Sequence, residues 1–593
     1  MSIFAGVFSR QINRAIPEKL IDELRAAVSR HPGDDADTRT EFTDDSIFIV
    51  KVDVGALGEP GKYSDAALAA FVAGDPILHL NPGALPISRA KSLQAIAHNL
   101  AAGQHSALRS CRGTYCAAVY ERSGHRLHLI TDKLGVRPVY CWVSADYIVF
   151  ATALRILEAV SFCEKSLNLQ GVAETACFGY PLSDRTPYEN IFSLHAGEVV
   201  SSDTAGLQRR RYWRWDELPV PSASGIAPPE RLYRLFTDAV RLRLRGQKVV
   251  ASFLSGGLDS RAVVAALKGA GAEVIAANLA APGSQDEVFG RLAAEKLGAH
   301  YSHLQFRPLI EGDPYSKATV SDWLNSAEFL AHGPQRPRVV WGGDGGSLGL
   351  GHIYLNADIV AATRAGDLRE ATARFLAYNR SGLQAQLLKR QLATTLADMI
   401  HAGISAELES IHLADPGRLF YLFLMLNDQR RHMFNHFENM DLTRIEFEMP
   451  FFDGEFVAGV MREPIDLFLR HVFYLEWLKC FPQGVLEIPW QAYPNHAPCP
   501  LPQPEGLTYQ WESKPSSAQN LERRRAALKG ARALLRRPNF PREYLSYGRM
   551  QLFMLLMRWG KVDRSYLMHV PSVVYRYWSQ TTASVAGKEK RNE

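Results

Sequence analysis

The chain has 593 residues, 47% apolar and 22% charged, the balance of a soluble globular protein too long for one core, so about two to four domains are expected. Its 67 Lys and Arg exceed its 62 Asp and Glu by only five, which excludes the dense basic surface of a nucleic-acid binder. Seven cysteines with no CxxC pair point to a reduced, cytoplasmic protein without a zinc site. The start Met1-Ser2-Ile3-Phe4 lacks the pattern of a signal peptide, and no run approaches the length of a membrane span.

In chain order, the first ~210 residues alternate short apolar runs with turn residues. Strands are predicted at Ser46 to Val52, Thr114 to Tyr120, Leu127 to Thr131, Val139 to Trp142 and Tyr147 to Phe150. The polar, Pro-rich stretch from Leu218 to Pro229 reads as a linker. Beyond it, strands predicted at Lys248 to Leu254, Glu273 to Leu279, His300 to Phe306 and Arg338 to Trp341 are separated by helical patterns, which favours a doubly wound parallel sheet. From about Asp358 to Leu478 the pattern is mainly helical. The expected division is a domain over 1–215, a linker over 216–229 and a second domain over 230–593.

The most informative segment is Val249 to Arg261, where an apolar strand runs into Ser255-Gly256-Gly257-Leu258-Asp259-Ser260 and then into a helix. Two glycines permit φ > 0 and close backbone approach. Successive N–H groups and the helix N-terminus can then cradle phosphate. Ser255 and Ser260 add hydroxyl donors, and Asp259 is placed to hold a Mg²⁺ ion on phosphate oxygens. The GxxxxGK[ST] pattern is absent, which argues against γ-phosphate transfer.

Ser255 to Ser260 resembles the pyrophosphate loop of the asparagine synthetase family, whose members cleave ATP to AMP and pyrophosphate. Four further landmarks follow the family's order: Asp132 to Tyr140; Phe178-Gly179-Tyr180 with Ala196-Gly197-Glu198; Ser284-Gln285-Asp286-Glu287; and Glu446 to Asp453, in which Glu448 stands where the family has Arg. The resemblance implies an α/β protein. Its N-terminal part would be a glutaminase-like αββα sandwich of the N-terminal-nucleophile (Ntn) type, without the nucleophile Cys. A doubly wound parallel α/β ATP-pyrophosphatase-type synthetase domain with helical additions would follow.

The departures carry as much information. The family begins Met-Cys-Gly-Ile, and that Cys releases ammonia from glutamine; Ser2-Ile3 stands here. Its glutamine-binding Ser-Asp-x-Glu is replaced by Ser88-Arg89-Ala90-Lys91, so the amine is expected from another source. Trp341-Gly342-Gly343-Asp344-Gly345-Gly346-Ser347 is similar to the family's second loop, which places Asp344 toward the reacting amine and leaves Ser347 where a second metal-binding Asp belongs. The phosphate-steadying Lys near the C-terminus is missing. The segment Pro489-Trp490-Gln491 with His496-Ala497-Pro498-Cys499-Pro500 instead resembles the lasso-peptide cyclases. Arg261 replaces a Ser, and Arg523-Arg524-Arg525 with Arg532, Arg536 and Arg537 form a basic run that reads as a solvated face or a docking surface for an acidic partner.

The resemblance implies an ATP- and Mg²⁺-using cyclase. It would adenylate an Asp or Glu side chain of a precursor peptide and close an isopeptide macrolactam with the peptide's N-terminal amine. Asp344 and Glu446 are the expected bases for that amine, and Trp490, Gln491 and His496 the expected substrate contacts. A leader peptidase and a leader-binding protein are the implied partners besides the precursor peptide. Two alternatives stay open: a small-molecule amide or β-lactam synthetase of the same family, and a nucleotide-binding pseudo-enzyme.

Overall fold

The computed structural model describes residues 2–12, 14–34, 39–79, 85–218, 225–305, 317–482, 484–509, 517–559 and 563–592. Residues 219–224 of the expected linker and Phe306 lie outside the described residues. The chain forms two compact units, one gathering Met1–Ala159, Leu194–Ala357 and Leu424–Glu512, the other Val160–Ser193, Asp358–Phe423 and Ser513–Glu593.

In the first unit, the strands Tyr140–Val143, Tyr147–Ala151, Ser2–Ser9, Ile47–Asp53 and Arg39–Asp44 lie side by side in that order. The register sets Ser2 opposite Asp53. A second antiparallel sheet has the order Gly206–Arg211, Glu198–Asp203, Arg126–Thr131, Tyr115–Glu121, Leu68–Gly74, Lys62–Ser64. The sheets meet through ring contacts, Phe8 with Tyr120 and Phe42 with Phe71. Helix Arg89–Ala101 buries Leu93, Ile96 and Leu100 on the second sheet, and helix Glu18–Ala27 packs on the first. This is the αββα sandwich of an Ntn-type amidotransferase-like domain. All five strands predicted here are present. Ser2–Ser9 and Leu68–Gly74 escaped prediction: every residue in them is buried, so no in–out alternation marks them, and their Ala and Gly residues dilute the β-branched and aromatic signal that marks the equally buried Tyr147–Ala151.

The same unit holds a parallel sheet in the order His300–His303, Glu273–Asn278, Val249–Phe253, Val339–Trp341, Glu446–Glu448. All four strands predicted for it are present. Buried ion pairs join it to the sandwich. Asp453 accepts from Arg112 and Arg243 while capping helix Gly454–Met461, and Arg137 Nη2 reaches Glu446 Oε1 at 2.6 Å. Two of the sequence landmarks are therefore joints. Gly135, in the Asp132 to Tyr140 landmark, shows why: its φ is +62°, and a Cβ there would stand 2.8 Å from Ala196 Cα and 2.9 Å from Arg430 Nε.

The second unit is mainly helical, with Leu169–Phe178, Leu368–Tyr378, Arg390–Glu409, Ser517–Leu535, Tyr547–Trp559 and His569–Asn592 as its long elements. Glu174, fully buried, is held by Arg185 at 2.8 Å and by the N–H of Leu182. In the basic run, Arg523, Arg525 and Arg532 are exposed, whereas Arg524 Nε donates to the Met557 carbonyl. No helix among the described residues is long and apolar enough to cross a membrane.

Candidate functional site

Strand Val249–Phe253 pairs with Glu273–Asn278 on one side and Val339–Trp341 on the other. Strand order reverses there, so a crevice opens beyond the carboxyl ends of the strands, where doubly wound sheets bind ligands. The loop Ser255 to Ser260 leaves the first of these strands and helix Leu258–Gly269 follows. Its glycines serve close approach and not left-handed backbone: Gly257 has φ −80°, neither is among the positive-φ residues, and a Cβ on Gly256 would meet the Gln285 carbonyl at 2.8 Å. The loop holds its own shape. Gly256 N–H donates to Asp286 Oδ1 at 2.8 Å, Gly257 N–H to Ser255 Oγ at 3.2 Å, and Ser255 N–H to Ser260 Oγ at 3.0 Å. An entering phosphate would take over these donors. The two serine hydroxyls, 3.1 Å apart, can rotate to add two more.

Asp259 is the focus of the second loop. Its Oδ2 accepts from the Ser347 N–H at 2.9 Å and hydroxyl at 2.6 Å, and its Oδ1 from the Tyr474 hydroxyl at 2.5 Å. That closeness demands glycine at 346, where a Cβ would stand 2.6 Å from the Asp259 carboxyl carbon. Burial pushes the Asp259 carboxyl up to about 6; the donors from Ser347 and Tyr474 pull it down, and Asp344 adds to the rise. Ser347, in place of a second carboxylate, thus acts as a donor to the first.

Beyond these loops lies a cavity of about 530 Å³, lined by Ser255, Asp259, Ser260, Asp286, Asp344 and Asp428 among others. No Lys or Arg lines it among the described residues. Mg²⁺ fits this lining, since half-buried carboxylates beside a phosphate-shaped loop, with no Lys or Arg among the described lining residues, suit a hard divalent cation with oxygen ligands. Asp259 is the residue that would hold it.

A smaller cavity of about 150 Å³ adjoins the loop, lined by Ser255, Gly257, Asp259, His471, Trp490, Gln491 and His496. Arg261 explains the approach of that C-terminal segment. Its fully buried guanidinium donates to the carbonyls of Val485 (3.0 Å), Ile488 (2.9 Å) and Pro489 (2.9 Å), and Gln491 N–H reaches the Gly256 carbonyl at 3.3 Å. Burial lowers Arg261 to about 10. The Gln491 side chain, 6% exposed, has neither its amide nitrogen nor its oxygen bonded to protein. His471 and His496 meet edge to face at 4.8 Å between ring centroids, and burial pushes His471 down to about 3.

The structure thus brings together Ser255, Gly256, Gly257, Asp259, Ser260 and Asp344, with Trp490, Gln491 and His496 on the adjoining cavity. It does not bring Glu446 there. That residue is 1% exposed, does not line either cavity, and its Oε1 is taken by Arg137 and by the Phe447 N–H; the base role expected of it is corrected to an ion pair at a joint. Glu448 is also buried, between Arg243 and Arg336. Asp286, Tyr474, Asp428 and His432 were missed as site residues. Only Asp286 had a local signal, the Ser-Gln-Asp-Glu segment; the others approach through the fold alone.

At Ser2 the arrangement is the opposite. Ser2 Oγ donates to Asp53 Oδ2 at 3.0 Å, and the buried Arg89 guanidinium spans Ser2 Oγ, Asp53 and the carbonyls of Glu59, Val72 and Gly74. Lys51 Nζ adds a 2.8 Å contact to Asp53, and burial lowers Lys51 to about 8.

Fold and site define a glutamine amidotransferase-like sandwich joined to a parallel-sheet synthetase domain. The "glutamine amidotransferase domain" family matches residues 93–213 and the "asparagine synthase" family residues 231–310. In both matched stretches the chain is thus similar to proteins of these two families, in this order along the sequence. It is 28% identical over 162 residues to a glutamine-hydrolysing asparagine synthetase candidate of Methanocaldococcus jannaschii (26% of this chain, 31% of that one). It is 26% identical over 186 residues to asparagine synthetase 3 of Bacillus subtilis (30% of each chain) and 21% over 278 residues to asparagine synthetase 1 of that organism (45% and 43%). The matched stretch spans about a third of the length of the first two relatives.

Proposed function

We propose that this protein is an ATP-dependent, AMP-forming amide ligase, and within that class a lasso-peptide cyclase. It joins an Asp or Glu side chain of a precursor peptide to the peptide's own N-terminal amine. The observation that carries the reading is a contrast of two places: the Ser255 to Ser260 loop opens on a cavity of about 530 Å³, while at Ser2 the buried Arg89 guanidinium contacts Ser2 Oγ and Asp53. With Ser2 in place of the family's Cys and Ser88-Arg89-Ala90-Lys91 in place of its Ser-Asp-x-Glu, the amine comes from a source other than glutamine, and the substrate's own amine is one.

In this reading Ser255, Ser260 and the loop N–H groups bind the pyrophosphate of ATP, and Asp259 would hold a Mg²⁺ ion, which would offset its charge. The substrate carboxylate attacks the α-phosphorus and pyrophosphate leaves. The carboxyl carbon then carries AMP, a good leaving group, and the peptide amine displaces it. Asp344, which lines the cavity, is placed to take the amine's proton. The unbonded amide of Gln491 offers one donor and one acceptor side by side, which suits a peptide unit. Holding the folded peptide removes most of the entropic barrier to ring closure. A leader peptidase and a leader-binding protein complete the proposed system.

A small-molecule amide or β-lactam-type synthetase is the second reading, favoured by a cavity within the size range of small-ligand sites. Tandem mass spectrometry of the product decides. A precursor peptide that loses one water as ATP becomes AMP and pyrophosphate supports the cyclase. A peptide with a new primary amide, or turnover only of a small amino acid, replaces it, and absence of ATP–pyrophosphate exchange with either substrate leaves a nucleotide-binding pseudo-enzyme.

A further inference from the structure

The larger cavity poses an electrostatic problem. Four aspartates (259, 286, 344 and 428) line it, and no Lys or Arg does so among the described residues. Any polyanion entering it must be accompanied by cations.

One edge of the lining has different donor chemistry. A π-helical turn, Met425–Gln429, leads into helix Arg430–Glu438; the extra residue per turn re-aims the side chains around it. His432 and His436 are four residues apart on that helix and so project from one face, with ring centroids 5.7 Å apart. His436 is buried, its ring 5.2 Å from that of Phe447, while His432 reaches the cavity. Asp344 approaches from the loop after strand Val339–Trp341. One ligating atom of each of the three residues lies within 4.8 Å of the others. Ligand atoms around a tetrahedral zinc ion stand about 3.4 Å apart, a closure that small side-chain torsions supply.

We propose that Asp344, His432 and His436 form a site for a divalent transition-metal ion of the Zn²⁺ type, with its open coordination positions facing the cavity. Two imidazoles with one carboxylate select Zn²⁺ or Co²⁺ over Mg²⁺, which prefers oxygen ligands. The ion would supply, beside the phosphate-shaped loop, positive charge that no Lys or Arg among the described lining residues brings there. An oxygen of a phosphate or carboxylate is the ligand its free position would take. The site does not depend on which amide the protein makes.

Co²⁺ is the probe. A second cluster, in which Glu273 Oε1 contacts His300 Nε2 at 3.3 Å and His332 Nδ1 at 2.9 Å, is first disabled by His300→Ala and His332→Ala. The metal-stripped full chain in this background should take up one equivalent of Co²⁺ with the visible bands of a cobalt–imidazole site, and excess Mg²⁺ should not displace it. His432→Ala, at an exposed position, should weaken uptake about 100-fold, and His436→Ala and Asp344→Asn should do likewise in any preparation whose circular dichroism is unchanged. No saturable uptake, or uptake equal in the His432→Ala variant and its parent, overturns the proposal. ATP–pyrophosphate exchange with Mg²⁺ alone, run on the same parent protein, keeps the two ideas apart. Exchange without cobalt binding discards the metal site and leaves the ligase, whereas cobalt binding without exchange does the reverse.

Discussion

The loop at Ser255 to Ser260 and the surroundings of Ser2 differ in one respect: the first opens on a cavity, while the second is filled by side chains of its own chain. Around the loop, serine hydroxyls and backbone N–H groups are held by small acceptors that a ligand can replace. Around Ser2, a buried guanidinium makes contacts to two side chains and three carbonyls. No ligand can replace these without leaving several polar groups unpaired, each at a cost of about 1–3 kcal/mol. A fold keeps both scaffolds; whether a pocket remains a site depends on what its own side chains already satisfy.

The largest expected effect lies at the open site. Asp259→Asn should lower ATP–pyrophosphate exchange by about 1000-fold with an unchanged circular dichroism spectrum; exchange near the parent rate would erase the distinction between the pockets. Next comes the plug. Arg89→Met should cost roughly 3 kcal/mol of stability in urea titration, because Asp53 and three carbonyls lose a buried partner, and should leave exchange intact. A variant that gained glutamine hydrolysis would mean the pocket had been merely covered.

Acidity gives a finer test. With the Asp259 carboxyl at about 6 in the folded chain, Mg²⁺-dependent nucleotide binding should weaken as pH falls through about 6, since the ligand must be deprotonated. Tyr474→Phe removes a donor that lowers this value, so the midpoint should move upward by about one pH unit. An unmoved midpoint would assign the titration to another group. For stability the sign is opposite: the raised carboxyl favours the fold below the ordinary carboxylate range, and that contribution fades as pH rises through about 6. The smallest effect is expected of Ser2→Ala, which removes the hydrogen bond to Asp53 and a longer one from Arg89, about 1 kcal/mol in all because both partners keep other contacts. Product formation should not change, and glutamine should yield no glutamate in either form; glutamate release abolished by Ser2→Ala would restore a glutaminase.

The sequence by itself determined the features that local chemistry encodes. Runs such as Val249 to Phe253 and Tyr147 to Ala151, bounded by turn residues, are strands wherever they pack. Ser255-Gly256-Gly257-Leu258-Asp259-Ser260 can be read as an anion loop because small residues and hydroxyls between strand and helix have few other uses. The replacement of Ser-Asp-x-Glu by Ser88 to Lys91 put Arg89 in the sequence, and its contacts to Ser2 and Asp53 appeared only in the structure. Tertiary structure decided the rest, for reasons of distance and burial. Tyr474 lies 215 residues from Asp259, yet donates to it. Glu446, acidic and inside a landmark, became a partner of Arg137 because the sheets close over it. Arg261, in sequence only a departure from the family, became the buried donor that carries Trp490 and Gln491 to the loop. A carboxylate or a guanidinium has the same letter whether it meets a ligand, a metal or another side chain. What it meets is set by which elements the core packs together, and no local pattern records that.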